Sequence, residues 1–141
     1  MNPFFKTFVA GHVRLYRLTG GRLGGTIVGL PVTLLTTTGR KTGRARTVPV
    51  ASFEDGGDVI VIASFGGSPT HPAWFVNLSA NPNVTVQVGR DVYPARAEVV
   101  TGPERERLWA MVVAKAPNFG EYQKKTTREI PVVRLERASR A

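Results

Sequence analysis

The chain of 141 residues has no cysteine and only two histidines, and its ten Asp and Glu residues are outnumbered by nineteen Lys and Arg. The absence of cysteine excludes disulfides, iron–sulfur clusters, thiolate zinc sites and thiol catalysis. Two imidazoles are too few for a multi-histidine metal site, so we expect no metal. Because GxGxxG, GxSxG and complete P-loop motifs are also absent, any enzymatic reaction must be carried by a bound cofactor.

The excess of basic residues is concentrated at one end of the chain. No acidic residue precedes Glu54, and residues 1–53 carry eight basic side chains, a net charge of +8. Residues 54–141 hold eleven basic and ten acidic residues, a net charge of +1. This asymmetry predicts an anionic partner, namely nucleic acid, a membrane surface, or a ligand rich in phosphate and carboxylate.

No apolar run approaches the roughly 18 residues that a membrane span needs. Charged residues also interrupt the start of the chain, so we expect no secretory signal and predict a cytoplasmic protein. Residues 4–18 carry apolar side chains at helical spacing, with Lys6, Arg14 and Arg17 on other faces. Two placements of this amphipathic helix stay open: packed onto the domain, or resting peripherally on the inner face of the membrane.

The rest of the chain predicts an antiparallel sheet with a few helices. The turn Glu54–Gly57 joins two strands into a hairpin, and Pro49 indicates an edge or a bulge in the first of them. The capping-box pattern at Thr101–Glu104 predicts the start of a helix. The order of elements favours a mainly β fold with helices (α+β), as an antiparallel sheet or small barrel. Strands are predicted at 32–37, 46–53, 58–64, 84–88, 92–100 and 131–135, and helices at 4–18, 72–78 and 101–115, with a short helical turn from 118.

The strongest local motif lies between the first two predicted strands, over residues 36–46. It contains four cations, and Gly39 and Gly43 allow a sharp turn that exposes backbone amides. Arginine grips phosphate or carboxylate with two parallel hydrogen bonds, and lysine adds a point charge. The motif therefore predicts an anion cradle, with a solvated basic hairpin as the alternative.

Two further segments are candidates for a binding site. A glycine loop from Ser64 leads into a helix start with Trp74, which could flank a flat ring or belong to the core. In residues 118–128, Phe119 and Tyr122 share a helical face, where they could line a pocket or pack onto the domain.

These three segments together resemble the deazaflavin (F420)-dependent nitroreductase and quinone reductase family. The resemblance covers about residues 23–135, in order and with consistent gaps. The matching positions are Leu34 to Gly43, Arg46, Pro49, Gly66-Gly67, Pro72, Trp74, Asn77-Leu78, Ala80-Asn81-Pro82, Val84, Tyr122-Gln123, Thr127-Arg128 and Ile130-Pro131-Val132.

The resemblance implies a split β-barrel related to flavin-binding barrels over residues 23–141, preceded by the N-terminal helix at 1–22. It implies coenzyme F420, a deazaflavin with a phosphate and an oligoglutamate tail, as the cofactor. The expected cofactor-binding residues are Arg40, Lys41, Thr42 and Arg46 for the phosphate and tail; Thr47, Val48, Pro49, Val50 and Ala51 along the ring; Ile62, Ala63, Ser64 and Phe65 on the next strand; and Ala73, Trp74, Phe75, Val76 and Asn77 at the helix start.

The reaction implied is hydride transfer from reduced F420 to a quinone or nitro-type acceptor. Tyr122 or Ser64 would bind the accepting oxygen or deliver a proton. Relatives active on bulky nitroimidazoles have several tyrosines around the acceptor. Here the matching pocket is Ala51, Ala116, Phe119 and Tyr122, which favours an apolar quinone.

Two alternatives stay open at this point. A small basic β-barrel could bind nucleic acid through the cationic loop, although its aromatic residues are not interleaved with that loop. The same barrel could instead bind FMN or heme. The sequence leaves the oligomeric state open between monomer and homodimer.

Overall fold

The computed structural model describes residues 3–22, 25–27 and 30–138. Within these ranges the chain forms four helices and seven strands. The helices are α1 (Pro3–Thr19), α2 (Ala73–Ala80), α3 (Gly102–Lys115) and α4 (Asn118–Lys124). The strands are β1 (Thr26–Ile27), β2 (Leu30–Thr38), β3 (Ala45–Asp55), β4 (Asp58–Ile62), β5 (Asn83–Val88), β6 (Asp91–Val99) and β7 (Val132–Arg137). The boundary expected between residues 22 and 23 lies at the edge of the described residues.

Six of the strands close into an antiparallel barrel. Hydrogen bonds link them in the order β2-β3-β4-β7-β6-β5, and β5 pairs back with β2. Each of the six strands is thereby paired on both sides over at least part of its length. The predicted mainly β fold is therefore confirmed, while the two-residue β1, which pairs with the start of β2, was too short to leave a sequence pattern.

Successive side chains of a strand point to opposite faces of the sheet, and the two faces pack into separate apolar clusters, one inside the barrel and one outside it against α3. In β4, Val59 and Val61 point into the barrel, whereas Ile60 and Ile62 face the cluster formed with Leu108 and Val112 of α3. The period of two residues is the pattern that a strand buried on both faces requires.

Helix α1 is docked on the outside of β2. Val13 and Tyr16 are buried there against Val32 and Leu34. The Tyr16 hydroxyl donates to the carbonyl of Gln87 (3.3 Å) and accepts from the amide of Gly89 (2.7 Å), which fixes the helix to the β5–β6 turn. The packed placement is thus the one that the structure adopts. No helix within the described ranges is long and apolar enough to cross a bilayer.

The expected capping box at the start of α3 is wrong. Thr101 occupies the position before the helix, but its side chain makes no capping hydrogen bond. Gly102 follows with a φ of 62°, outside helical geometry, so the Thr101 side chain is not aimed at the first free amides. Strand β4 also ends at Ile62, two residues earlier than expected, because a 3₁₀ turn (Phe65–Gly67) begins just after Ser64.

The edge indicated by Pro49 is present in the structure. Residues 45–51 of β3 pair with β2, whereas only residues 52–55 pair with β4. Pro49, which has no amide proton, therefore interrupts no hydrogen bond between β3 and β4. The first half of β3 is left with one backbone edge that no described strand covers.

An ion-pair network ties β3, β4, β7 and α3 together. Arg134 of β7, whose side chain is 13% exposed, contacts Asp55 (2.7 Å), Asp58 (3.0 Å) and Glu104 (2.9 Å). Arg107 makes two further hydrogen bonds of 2.9 Å to Asp55. The hydrogen bonds from Arg107 and then Arg134 hold the pKa of Asp55 well below its ordinary value of 3.8.

Replacing Asp55 by Asn should destabilise the protein at neutral pH, because Arg107 and Arg134 lose the carboxylate they share. A lowered pKa in the folded state stabilises above the unfolded value of 3.8, and this stabilisation is lost as the pH falls through the folded value. The free energy of unfolding measured in urea should therefore be lower for Asp55→Asn than for wild type at about pH 7, and this difference should narrow below pH 3.8.

Asp91→Asn is the matched control. Asp91 pairs with Arg137 through more exposed side chains, so this substitution should lower the free energy of unfolding less than Asp55→Asn does. If Asp55→Asn lowers the free energy of unfolding equally at neutral and acidic pH, the ionised Asp55 carboxylate does not stabilise the fold as stated.

Candidate functional site

The loop between β2 and β3 is a tight turn built around two glycines. The amide of Gly39 donates to the carbonyl of Arg44 and the amide of Gly43 to that of Gly39, both at 2.8 Å. Gly43 has a φ of 70°, which favours glycine. A Cβ on Gly39 would lie 3.0 Å from Thr42 Oγ1, so the turn closes as tightly as it does because no side chain is present there.

Asn77 of α2 fixes this loop to the barrel. Its side chain, on a residue only 5% exposed, accepts hydrogen bonds from the backbone amide of Arg40 (3.2 Å) and from Arg40 Nη1 (3.4 Å). The Asn77 Nδ2 donates to Thr37 Oγ1 (3.2 Å), a hydroxyl at the end of β2. The structure therefore gives Asn77 a positioning role toward the loop, which the sequence did not indicate.

Helix α2 reaches the loop because its apolar residues pack into the barrel. Leu78 is buried in the cluster inside the barrel, and Trp74 and Phe75 pack partly against the same cluster. The amides of Phe75 and Val76 both donate to the carbonyl of Pro72, which starts the helix. Trp74 is thus a core residue on one side and exposed enough on the other to border a cleft.

A cleft of about 530 Å³ opens between the loop, β3, α2 and α1. Nine of the residues expected to bind a cofactor line it: Arg40, Lys41, Thr42, Arg46, Thr47, Val48, Ala73, Trp74 and Asn77. The remaining lining residues in the described part of the chain are Val9, Ala10, Thr37, Gly39 and Ala45. Val9 and Ala10 of α1 were missed because helical spacing shows which residues share a face, not which strand that face meets.

The cations at this cleft are not neutralised by the protein. All ten acidic residues lie between 54 and 136, within the described ranges. The ion pairs formed among described residues use Arg105, Arg107, Lys124, Arg134 and Arg137. Arg40, Lys41 and Arg46 are exposed and take part in none of them. Their positive potential is therefore directed at solvent and at the cleft.

Other residues expected at the site lie outside the cleft lining. Along β3 beyond Val48 come Pro49, Val50 and Ala51, of which Val50 packs toward the barrel interior. Ile62 and Ala63 are buried, as is Ser64, whereas Phe65 is exposed and has a φ of 46°. Phe75 and Val76 are partly buried on α2.

Three of the four residues expected to line an acceptor pocket, Ala116, Phe119 and Tyr122, lie in α4 or just before it, whereas Ala51 lies on β3. Ala116 and Phe119 are buried, at 4% and 6% exposure, in the apolar cluster that includes Leu108 and Val112 of α3. Tyr122 is half-buried, meets Phe119 edge to face at 5.5 Å, and its hydroxyl accepts a hydrogen bond from Asn118 Nδ2 (3.2 Å). Tyr122 is not among the described residues that line the cleft. Ala116 and Phe119 thus support Tyr122 from the core.

Arg128 holds the 3₁₀ turn that lies against α4. Its guanidinium donates to the carbonyls of Ala63 (3.1 Å), Ser64 (2.8 Å) and Ser68 (2.9 Å) and lies 3.1 Å from His71 Nδ1. Burial lowers the pKa of Arg128, and burial together with Arg128 lowers the pKa of His71. Arg128 was part of the matched motif, but nothing local in the sequence showed that it binds a turn some sixty residues away.

A family model described as F420H(2)-dependent quinone reductase matches residues 9–137, which is nearly the whole chain. The chain belongs to this family. The resemblance drawn from the sequence is thereby confirmed, and a nucleic-acid-binding barrel is not favoured.

Individual relatives agree with the family assignment. An F420H(2)-dependent quinone reductase of Mycobacterium tuberculosis is 42% identical over 130 residues, covering 89% of this chain and 87% of the relative. A solved F420-H2 dependent reductase, FDR-A, is 46% identical to this chain and superposes with a TM-score of 0.70. The match covers 75% of this chain and 94% of the FDR-A chain. A second solved structure, a domain-swapped dimer, is 38% identical to this chain, with a TM-score of 0.73. The match covers 96% of this chain and 100% of the chain in that structure.

A more distant structure shows the fold alone. A heme storage protein of Vibrio cholerae is 16% identical and covers 94% of this chain and 92% of its own, with a TM-score of 0.55. The barrel of this reductase family member is therefore shared with heme-binding proteins, but the similarity says nothing about ligand choice.

Replacing Asn77 by Ala should loosen the loop and destabilise the protein by about 1–3 kcal/mol, because the buried Thr37 hydroxyl and the Arg40 amide lose their partner. Urea unfolding measures the loss, and hydrogen exchange at the Arg40 amide should become faster. Asn83→Ala, at an exposed asparagine, is the control and should leave both unchanged. Unchanged exchange at Arg40 in Asn77→Ala would show that Asn77 does not anchor the loop.

Proposed function

We propose that this protein is an F420H2-dependent quinone reductase whose cationic loop holds the anionic part of the cofactor beside the cleft. The observation that carries the proposal is the set of exposed, unpaired cations on an anchored loop at the mouth of that cleft. When bound, reduced F420 supplies the hydride that a quinone or nitro-type acceptor takes up.

The residues present fit such a cofactor. A phosphate and a chain of carboxylates need several cations that the protein leaves free, and Arg40, Lys41 and Arg46 meet that need. The cleft is large enough for a flat ring system and has apolar walls at Val48 and Trp74. Thr42 Oγ1 is engaged with the amide of Arg44 (3.2 Å), so it shapes the turn as well as facing the cleft.

The uncovered backbone edge of β3 supports a place for the deazaflavin ring. Residues 47–51 lie on this edge, where no described strand takes up the backbone groups that point away from β2. Backbone groups of a rigid strand orient a ring more accurately than side chains of a loop. The 3₁₀ turn held by Arg128 would border the ring from the other side, through Ser64 and Phe65.

Tyr122 is our candidate for delivering a proton to the accepting oxygen, and Ser64 is the second candidate. The backbone of Tyr122 abuts the 3₁₀ turn so closely that a Cβ on Gly67 would lie 2.8 Å from its carbonyl oxygen. The acceptor is proposed to lie near the Tyr122 hydroxyl, which belongs to a half-buried residue and accepts a hydrogen bond from Asn118. The other residues that match the family's acceptor pocket, Ala51, Ala116 and Phe119, carry no hydroxyl, which favours a quinone over a polar nitro compound.

Lys41→Ala and Arg46→Ala should each weaken F420 binding by about 1–3 kcal/mol, because each removes a charge-assisted contact. The loss should shrink at high salt, where such contacts are screened. Quenching of tryptophan fluorescence during titration with F420 measures the affinity. Arg44→Ala is the matched control, since Arg44 lies on the same loop but does not line the cleft, and its effect should be smaller. Equal affinity in wild type and both cleft variants would remove the loop from the cofactor site.

Tyr122→Phe should lower the turnover of F420H2 with a quinone while leaving F420 affinity unchanged, because it removes the hydroxyl and keeps the packing against Phe119. Anaerobic oxidation of F420H2 against a panel of quinones and nitro compounds measures the rate. Tyr93→Phe, on β6, controls for loss of a hydroxyl elsewhere. An unaltered rate in Tyr122→Phe would leave Tyr122 as a packing residue.

We also propose peripheral contact of α1 with an anionic membrane. The face of α1 opposite its packed side exposes Phe8 (70%), Leu15 (43%) and Leu18 (75%), next to basic residues. Phe8→Ser with Leu18→Ser should reduce co-sedimentation with vesicles containing phosphatidylglycerol, whereas Val92→Ser, at an exposed valine on β6, should not. Wild-type protein that stays in the supernatant would contradict the proposal.

The homologous domain-swapped dimer supports a homodimer as the assembly to test against a monomer. Sedimentation equilibrium of the full chain distinguishes the two.

A further inference from the structure

Two arginines of α1 lie beside the cationic loop although they are distant from it in sequence. Arg17 Nη2 donates to Thr47 Oγ1 (3.3 Å), and Thr47 Oγ1 lies 2.7 Å from Thr36 Oγ1. Arg17 is therefore directed at the start of β3, at the residue that follows Arg46. Arg14 is three residues earlier and shares the same side of the helix.

A second depression, of about 380 Å³, lies between α1 and β3. It is lined by Ala10, Val13, Arg14, Arg17, Leu18 and Thr47. Ala10 and Thr47 also line the larger cleft, so the two depressions adjoin each other. A ligand that fills the cleft can thus extend along α1 without leaving the surface.

The position of these arginines is fixed by the packing of α1. Val13 and Tyr16, which flank them in sequence, are buried, and the Tyr16 hydroxyl is hydrogen-bonded at the β5–β6 turn. Arg14 and Arg17 are exposed, and neither forms an ion pair with any acidic residue in the described ranges. The unneutralised positive potential of the loop therefore continues along α1.

We propose that Arg14 and Arg17 form a second anion subsite that binds carboxylates of the F420 tail, while the phosphate stays at the loop of residues 39–46. This inference rests on the proposed function. A compact anion would need one group of cations, whereas a phosphate followed by a chain of carboxylates needs cations spread along a path. The arginines border the depression beside β3 together with Leu18, whereas Phe8 and Leu15 do not line it, so the subsite adjoins the exposed apolar face of α1 at Leu18.

The double variant Arg14→Gln with Arg17→Gln tests the subsite by equilibrium binding, with no need for turnover. Two probes are titrated: F420 with its oligoglutamate tail, and the same deazaflavin with the phosphate but no glutamates. At low salt the variant should bind the tailed form about tenfold more weakly, as two partly exposed ionic contacts would give, and the tail-free form within about twofold of wild type. Arg14→Lys with Arg17→Lys should keep most of the affinity. Arg96→Gln with Lys115→Gln removes the same charge from exposed sites outside both depressions and should change neither affinity.

Several outcomes overturn the proposal. Equal losses for both probes, or no loss for either, would show that the arginines do not bind the tail. A double variant that changes only co-sedimentation with anionic vesicles would assign the arginines to lipid instead. Wild-type protein that binds both probes equally tightly would refute the subsite and leave the proposed function standing. Wild-type protein that binds neither probe saturably would refute the proposed function itself.

Discussion

The hydrogen bonds that Asn77 accepts from Arg40, in the loop after β2, are the contacts on which the rest of the site depends. Arg40, Lys41 and Arg46 repel one another and find no acidic partner in the described chain, so the loop gains nothing from holding them together. A buried amide on α2, itself held by Leu78 in the barrel, keeps the loop at the cleft. The mutually repelling cations are concentrated in one loop, where a bound anion would relieve the repulsion.

The separation of charge between the two halves of the molecule follows from the same arrangement. Acidic residues appear only after residue 53, and five of the ten pair with arginines of α3 and β7: Asp55, Asp58, Asp91, Glu104 and Glu129. The region around α3 is thereby neutralised and stabilised, whereas the loop, the start of β3 and α1 stay positive. The arginines that form ion pairs therefore lie in the C-terminal part of the chain, and the unpaired arginines beside the cleft lie in the N-terminal part.

The order of the elements was predictable from local patterns, because strand alternation and turn residues act over a few positions. The barrel's closure by β5 on β2 was not, since it joins residues about fifty apart. The cationic loop was found from composition alone, but its anchor was not, because Asn77 lies 37 residues from Arg40. The contacts of Arg128 and of α1 were missed for the same reason, because they are set by tertiary packing and leave no local pattern.

The crystal structure of this protein grown with F420 tests the account most directly. We expect the phosphate of the cofactor within hydrogen-bond distance of Arg40, Lys41 or Arg46, with the ring beside Val48 and Trp74. A phosphate bound away from the loop of residues 39–46, with those side chains still facing solvent, would contradict the account.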